Sequence, residues 1–112
     1  MTNMTNDNSS WIKIGKAEDI PKLGARVVKA EQGDIAVFRT ADDQYFALRD
    51  SCPHKQGPLS QGIVSGTTVA CPLHDWKIKL DTGMAVAPDE GCAASFPVKN
   101  ENGELFLSLT NN

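Results

Sequence analysis

The sequence predicts an all-β fold: a small barrel or sandwich of short antiparallel strands, with two ligand-bearing loops at its tip. Three observations predict it. Apolar residues alternate with polar ones in short runs that Gly, Pro, Asn and Asp interrupt, the pattern of half-buried strands joined by tight turns. No stretch keeps a helical period over ten or more residues. At 112 residues the chain is long enough for one domain with a modest core and too short for two.

In chain order, residues 1–10 are polar and rich in Asn, Thr and Ser, and are expected to form a disordered tail before a single domain over residues 11–109. Residues 11–14, Trp-Ile-Lys-Ile, alternate as a half-buried strand should. Residues 16–21 are too short for a real helix and read as a turn or a single helical turn. Residues 25–30 and 34–39 are β-rich and flank Glu31-Gln32-Gly33, which predicts a hairpin. Residues 41–44 make the next turn and residues 45–48 the next strand. Ile63-Val64 and residues 67–70 form two short strands around a Ser65-Gly66 turn. Residues 76–80 alternate, Asp81-Thr82-Gly83 turns the chain, and Met84-Ala85-Val86 pairs back across that turn. Residues 87–92 form a loop punctuated by Pro and Gly. A last hairpin joins residues 96–99 to 105–109 through Asn102-Gly103, whose residue types suit two left-handed turn positions.

Composition narrows the function. With 40% hydrophobic and 22% charged residues the chain is ordinary for a soluble domain. A net charge of −3 argues against a nucleic-acid partner. No apolar run approaches the roughly 20 residues of a membrane span, so no membrane association is expected. The N-terminus lacks a basic region followed by an apolar segment, and the cytoplasm is the expected compartment. Three cysteines give no disulfide framework. No G-x-G-x-x-G or phosphate-cradling loop supports flavin or nicotinamide binding.

Chemistry concentrates between residues 52 and 74, C-P-H-K-Q-G-P-L-S-Q-G-I-V-S-G-T-T-V-A-C-P-L-H. Both histidines of the chain and two of its three cysteines lie here. Cys52 and His54 stand two residues apart; Cys71 and His74 stand three apart. A proline follows each Cys, fixing φ and removing a donor, which stiffens both loops. If the intervening hairpin folds back, two thiolates and two imidazoles converge. Two metal centres fit that set: a single tetrahedral zinc, or a [2Fe–2S] cluster with two thiolates on one iron and two imidazoles on the other. Zinc fingers commonly group Cys with Cys and His with His. Here each loop carries one of each, which favours the cluster.

The stretch resembles the Rieske signature C-x-H…C-x-x-H, with Gly57, Pro58, Leu59, Gly62, Leu73 and Trp76 in agreement. The resemblance implies a Rieske-type [2Fe–2S] cluster bound by Cys52, His54, Cys71 and His74, with the cysteines on an inner iron and the histidines on an outer one. Two ferric irons and two sulfides carry a double positive charge that two thiolates cancel. Reduction then starts from a neutral assembly, whereas with four thiolates it starts from a double negative one. Potentials of His₂Cys₂ clusters accordingly span about −150 to +300 mV. High-potential Rieske proteins carry an extra Cys in each loop, where this chain has Gly57 and Leu73, so a potential towards the bottom of that range is expected.

Beyond the ligands, the chain resembles the small subunit of assimilatory NAD(P)H-dependent nitrite reductase. The matching features are C-P-H-K-Q-G-P-L-S-Q-G-I-V, C-P-L-H-D-W with L-D-T-G after it, and A-P-D-E-G-C. That resemblance implies a large catalytic partner subunit carrying flavin, a [4Fe–4S] cluster and sirohaem, which reduces nitrite to ammonium. Stand-alone Rieske ferredoxins of oxygenase systems share the ligand motif and form the alternative. No catalytic site is expected on this chain alone: an oxygenase iron needs further histidines, and both are already committed. Among other residues, Trp76 is expected to pack beneath the second loop and Cys92 to be a small, half-buried hydrophobe. Lys55 is expected to be a solvated surface lysine. Gly62 is expected to allow close backbone approach or a positive φ. Ser51, Gln56 and Ser60 could reach the cluster sulfurs, but backbone N–H groups of both loops are the expected donors.

Overall fold

The computed structural model describes residues 11–30, 33–51, 58–72, 76–86 and 91–108. Among these residues the chain is all-β, with ten strands and two single-turn 3₁₀ helices. The strands are β1 (Trp11–Lys16), β2 (Ala25–Val28), β3 (Ile35–Arg39), β4 (Tyr45–Arg49), β5 (Ile63–Ser65), β6 (Thr68–Ala70), β7 (Lys77–Lys79), β8 (Ser95–Phe96), β9 (Val98–Glu101) and β10 (Glu104–Ser108). They form three antiparallel sheets, ordered β9-β10-β1, β2-β3-β4-β8 and β5-β6-β7. The expected tail at residues 1–10 and the tip of the 31–33 turn lie outside the described residues.

Strand β3 explains how three sheets make one domain. Its run Ile35-Ala36-Val37-Phe38 is wholly buried. A continuous apolar run is what a strand covered on both faces requires. Ile35 and Val37 face one cluster of buried residues with Leu105 and Leu107 of β10, Phe96 of β8 and Ile20. Ala36 and Phe38 face a second cluster with Val64, Val69 and Ile78 from the β5-β6-β7 sheet. The β2-β3-β4-β8 sheet is therefore the middle layer of a sandwich.

Most turns form where the sequence places them. Asn102 and Gly103 both take positive φ, 56° and 87°, as a type I′ hairpin demands. Residues 17–19, within the stretch read as a single helical turn, form a 3₁₀ turn. One expected strand divides: residues 96–99 do not run as one element. Ser95–Phe96 pairs with β4, and Val98–Glu101 pairs with β10. Pro97 sits between them with no N–H to give a ladder, and the chain changes sheets there. Strand β1 extends two residues beyond the expected Ile14, through a register shift opposite Leu105 and Phe106.

Candidate metal centre

The β5-β6-β7 sheet connects the two ligand loops. Its inner row, Val64, Val69 and Ile78, is cross-strand paired and at most 4% exposed. Cys71 follows β6 directly, is 1% exposed, and belongs to the same buried cluster as Leu59, Leu48 and Leu80. Leu59 opens the 3₁₀ turn Leu59–Gln61 that ends the first loop. The exit of loop one and the entry of loop two therefore rest on one core.

Each loop is closed at its base by short hydrogen bonds. Around the first, the Asp50 carboxylate accepts the Ser60 backbone N–H at 2.7 Å and the Ser60 hydroxyl at 2.8 Å. The Asp50 N–H is in turn donated to the Asp34 carbonyl at 2.9 Å. Around the second, the Cys71 N–H donates to the Trp76 carbonyl at 2.6 Å. Trp76 packs partly buried against the Cys71 cluster, as expected of a residue supporting that loop. Gly62 is needed for close approach, not for its φ of −81°: a Cβ there would collide with the Ala70 carbonyl oxygen.

A third connection buttresses the sheet from its far side. Residues 84–86 pair back on β7, through Lys79 N–H to the Met84 carbonyl and Val86 N–H to the Lys77 carbonyl, both 2.8 Å. The segment after residues 87–90 returns to the same place: Ala85 N–H donates to the Gly91 carbonyl at 2.9 Å, and Ala93 N–H to the Gly83 carbonyl at 2.7 Å. Gly83 has φ +80°, and a Cβ there would fall on the Ala93 carbonyl oxygen, so only glycine closes this corner.

Of the four expected ligands, Cys71 is described; Cys52, His54 and His74 lie outside the described residues, as do Lys55, Gln56, Gly57 and Leu73. Among the described residues no group of three or more His, Cys, Asp or Glu converges. Cys71 itself fits the sulfur side of a cluster. Its side chain is buried in the core cluster, a position a metal-ligating thiolate can take. The donor set, two Cys and two His divided one of each per loop, is that of a His₂Cys₂ cluster.

The Ser60 hydroxyl is bonded to Asp50, which makes it a poor donor to a cluster sulfur. One expectation needs correction. Cys92 is exposed and not half-buried, since its strand bridge to Met84 places it at the rim of the buttress. The Asp50–Ser60 pairing went unseen in the sequence: both residue types are ordinary in loops, and nothing in a ten-residue separation marks a contact.

The family model described as Rieske [2Fe-2S] domain matches residues 10–97. Among curated relatives, Ferredoxin CarAc of Metapseudomonas resinovorans is 32% identical over 90% of this chain and 95% of its own length. The 3-phenylpropionate/cinnamic acid dioxygenase ferredoxin subunit of Photorhabdus laumondii is 34% identical, over 90% and 96%. Among solved structures, a complex of reduced oxygenase and oxidised ferredoxin in carbazole 1,9a-dioxygenase contains a chain matching with TM-score 0.83 at 29% identity, covering 94% of this chain and 98% of that one. A protein ascribed to the small subunit of NADPH nitrite reductase matches with TM-score 0.79 at 22% identity, over 88% and 98%, a likeness that establishes the fold. No helix among the described residues is long and apolar enough to cross a membrane.

Proposed function

The chain belongs to the Rieske [2Fe–2S] domain family, carries a Rieske-type cluster and transfers electrons; from that premise we propose that it is the small subunit of an assimilatory NAD(P)H-dependent nitrite reductase. Cys52 and Cys71 hold the inner iron in this reading, and His54 and His74 the outer one. Its partner is the large subunit with flavin, [4Fe–4S] cluster and sirohaem, in the cytoplasm. The cluster, when bound, supplies storage of one electron at a time.

The chain's own residues do the positioning. Asp50 and Ser60 close the first loop, Cys71 and Trp76 close the second, and the inner row of the β5-β6-β7 sheet fixes both on the core. The observation that carries the nitrite reductase reading is the buttress. Gly83 of the L-D-T-G motif accepts from Ala93, and Gly91 of the A-P-D-E-G-C motif accepts from Ala85, so the described ends of both motifs that the sequence shares with that family meet the same corner. The fold of the nitrite reductase-like neighbour is compatible with this.

A second reading is favoured by a different observation: three relatives above 30% identity over at least 94% of their own length are ferredoxins, two of them dioxygenase ferredoxin subunits. In that reading the chain is a free carrier serving an oxygenase. One experiment separates them. Nitrite-dependent NAD(P)H oxidation is measured in lysate of cells lacking this chain, with purified wild type or Cys52→Ser added back. Restoration by wild type alone supports the nitrite reductase reading with the cluster on the electron path. Restoration by both keeps the family and makes the cluster structural. Activity that never depends on the chain rejects the reading in favour of an oxygenase partner.

A further inference from the structure

The outer face of the β5-β6-β7 sheet has a character that its inner face does not explain. Cross-strand pairing sets out two rows on it. Ile63, Ala70 and Lys77 form one row, extended by Val86; Ser65, Thr68 and Lys79 form the other, extended by Met84. Ile63 is 74% exposed and Met84 56%, the two most exposed large hydrophobics among the described residues. Neither is needed by the core, which the Val64, Val69 and Ile78 row already fills. Polar residues at these positions would satisfy the strand alternation at no cost in burial.

Charge on this face is also unusual. Six basic side chains elsewhere, Lys13, Lys22, Arg26, Lys29, Arg39 and Lys99, sit within 4 Å of a carboxylate. Arg49 is engaged with the Gly33 carbonyl and the Phe96 ring. Among the described residues Lys16, Lys77 and Lys79, like Arg49, have no carboxylate within 4 Å, and two of these lysines lie on this face. Lys77 and Lys79 share the outward face of β7, and Lys79 stands opposite Met84.

The position is as informative as the composition. The first row borders both ligand loops: Ile63 follows the first, Ala70 immediately precedes Cys71, and Lys77 follows Trp76 at the end of the second. Resting on the functional reading above, we propose that this face docks the large subunit, whose carboxylates would meet Lys77 and Lys79 between two apolar contacts, at Ile63 and at Met84. Ile63 and Met84 stand at opposite corners of the face with Lys77 and Lys79 between them. Apolar contacts give a short-lived complex its residence time, and charges govern the encounter rate.

The test uses the cluster-loaded full chain and the purified large subunit, with association followed by biolayer interferometry across ionic strength. Lys77→Glu/Lys79→Glu is expected to slow association by roughly 10-fold at low salt, with the difference collapsing as salt screens it. Ile63→Ser is expected to speed dissociation by roughly 5- to 10-fold with little change in association. Lys16→Glu, on the β9-β10-β1 sheet, is the control and should change either rate by less than about 2-fold. Unchanged visible absorption in every variant shows that the loops are intact. If wild type binds and the face variants bind equally well, the docking face is wrong and the nitrite reductase reading stands. If wild type does not bind the large subunit, that reading fails and takes this partner with it.

Discussion

Removing the Asp50 carboxylate should loosen the first ligand loop without unfolding the domain. Asp50 lies at the end of β4 and Ser60 just beyond the loop, so their two bonds, 2.7 and 2.8 Å, bracket residues 51–59. A hydrogen bond to a charged group contributes about 1.5–3 kcal/mol when shielded. Asp50 is half-exposed, so roughly 1 kcal/mol apiece is the better figure. Asp50→Ala then shifts the loop-opening equilibrium by about 2 kcal/mol, near 30-fold. Asp50→Asn keeps an acceptor for the Ser60 N–H and offers an amide to its hydroxyl, losing only the charge, so about 3-fold is expected. Ser60→Ala loses one bond and should give about 5-fold. The assay is loss of visible absorption in a ferrous chelator, under conditions where chelation is slower than loop reclosing, so that the rate follows the open population. Circular dichroism melts run alongside. Wild-type rates of iron loss in a folded Asp50→Ala protein would refute the latch. So would iron loss that tracks only global melting.

Three further outcomes are expected. Cys71→Ser should abolish cluster absorption and bound iron, whereas Cys92→Ser, at an exposed position, should leave both at wild-type levels. Gly83→Ala should cost about 3 kcal/mol, from a left-handed φ, a lost Ala93–Gly83 bond and displacement of the Ala93 carbonyl, lowering Tm by roughly 15 °C in a thermal melt. The hydrogen bond from Arg39, helped by the charges of Arg39 and Lys22, holds the Asp43 carboxyl below its usual range. A depressed carboxylate stabilises the fold above its unfolded value of about 3.9 and ceases to as pH falls through the folded one. Urea midpoints of wild type should therefore exceed those of Asp43→Asn at neutral pH and converge with them in acid. Asn tolerates the φ of 64° at this turn, so backbone strain does not confound the comparison.

Where local chemistry decides, the sequence was readable. Asn102-Gly103 forms its turn because few residues accept a positive φ, and both of these do; the turn expected at Ser65-Gly66 falls one residue later, on Gly66-Thr67, because Ser65 pairs with Thr68 in the ladder. Val64, Val69 and Ile78 are buried where alternation puts them. What escaped was decided by distant partners. Residues 95–99 look like one strand, yet Phe96 is drawn to Ala47 in the middle sheet and Val98 to Leu107 in the outer one. Alternation reports which face a residue takes, not which neighbour it finds. The same limit hid the Leu59–Gln61 turn and the Asp50 latch. Cys71 is buried, and the other three expected ligands lie outside the described residues.

The small sheet carries two constraints that would conflict in most folds. Metal ligands need a rigid, dry base, while an electron-transfer partner needs access close by. Period-two alternation resolves this within a few residues: Val69 and Cys71 turn into the core and Ala70, between them, faces outward in line with Ile63 and Lys77. A group seated on Ala70 is one residue along the chain from a ligand without touching the packing that holds it. Substitutions on the outer row should therefore alter partner kinetics and leave the buried side intact, while substitutions on the inner row should do the reverse. A helix, with its single buried stripe, could not separate adjacent residues so cleanly. Alternation along this strand is what would let the expected ligand Cys71 and the proposed docking face share one short segment.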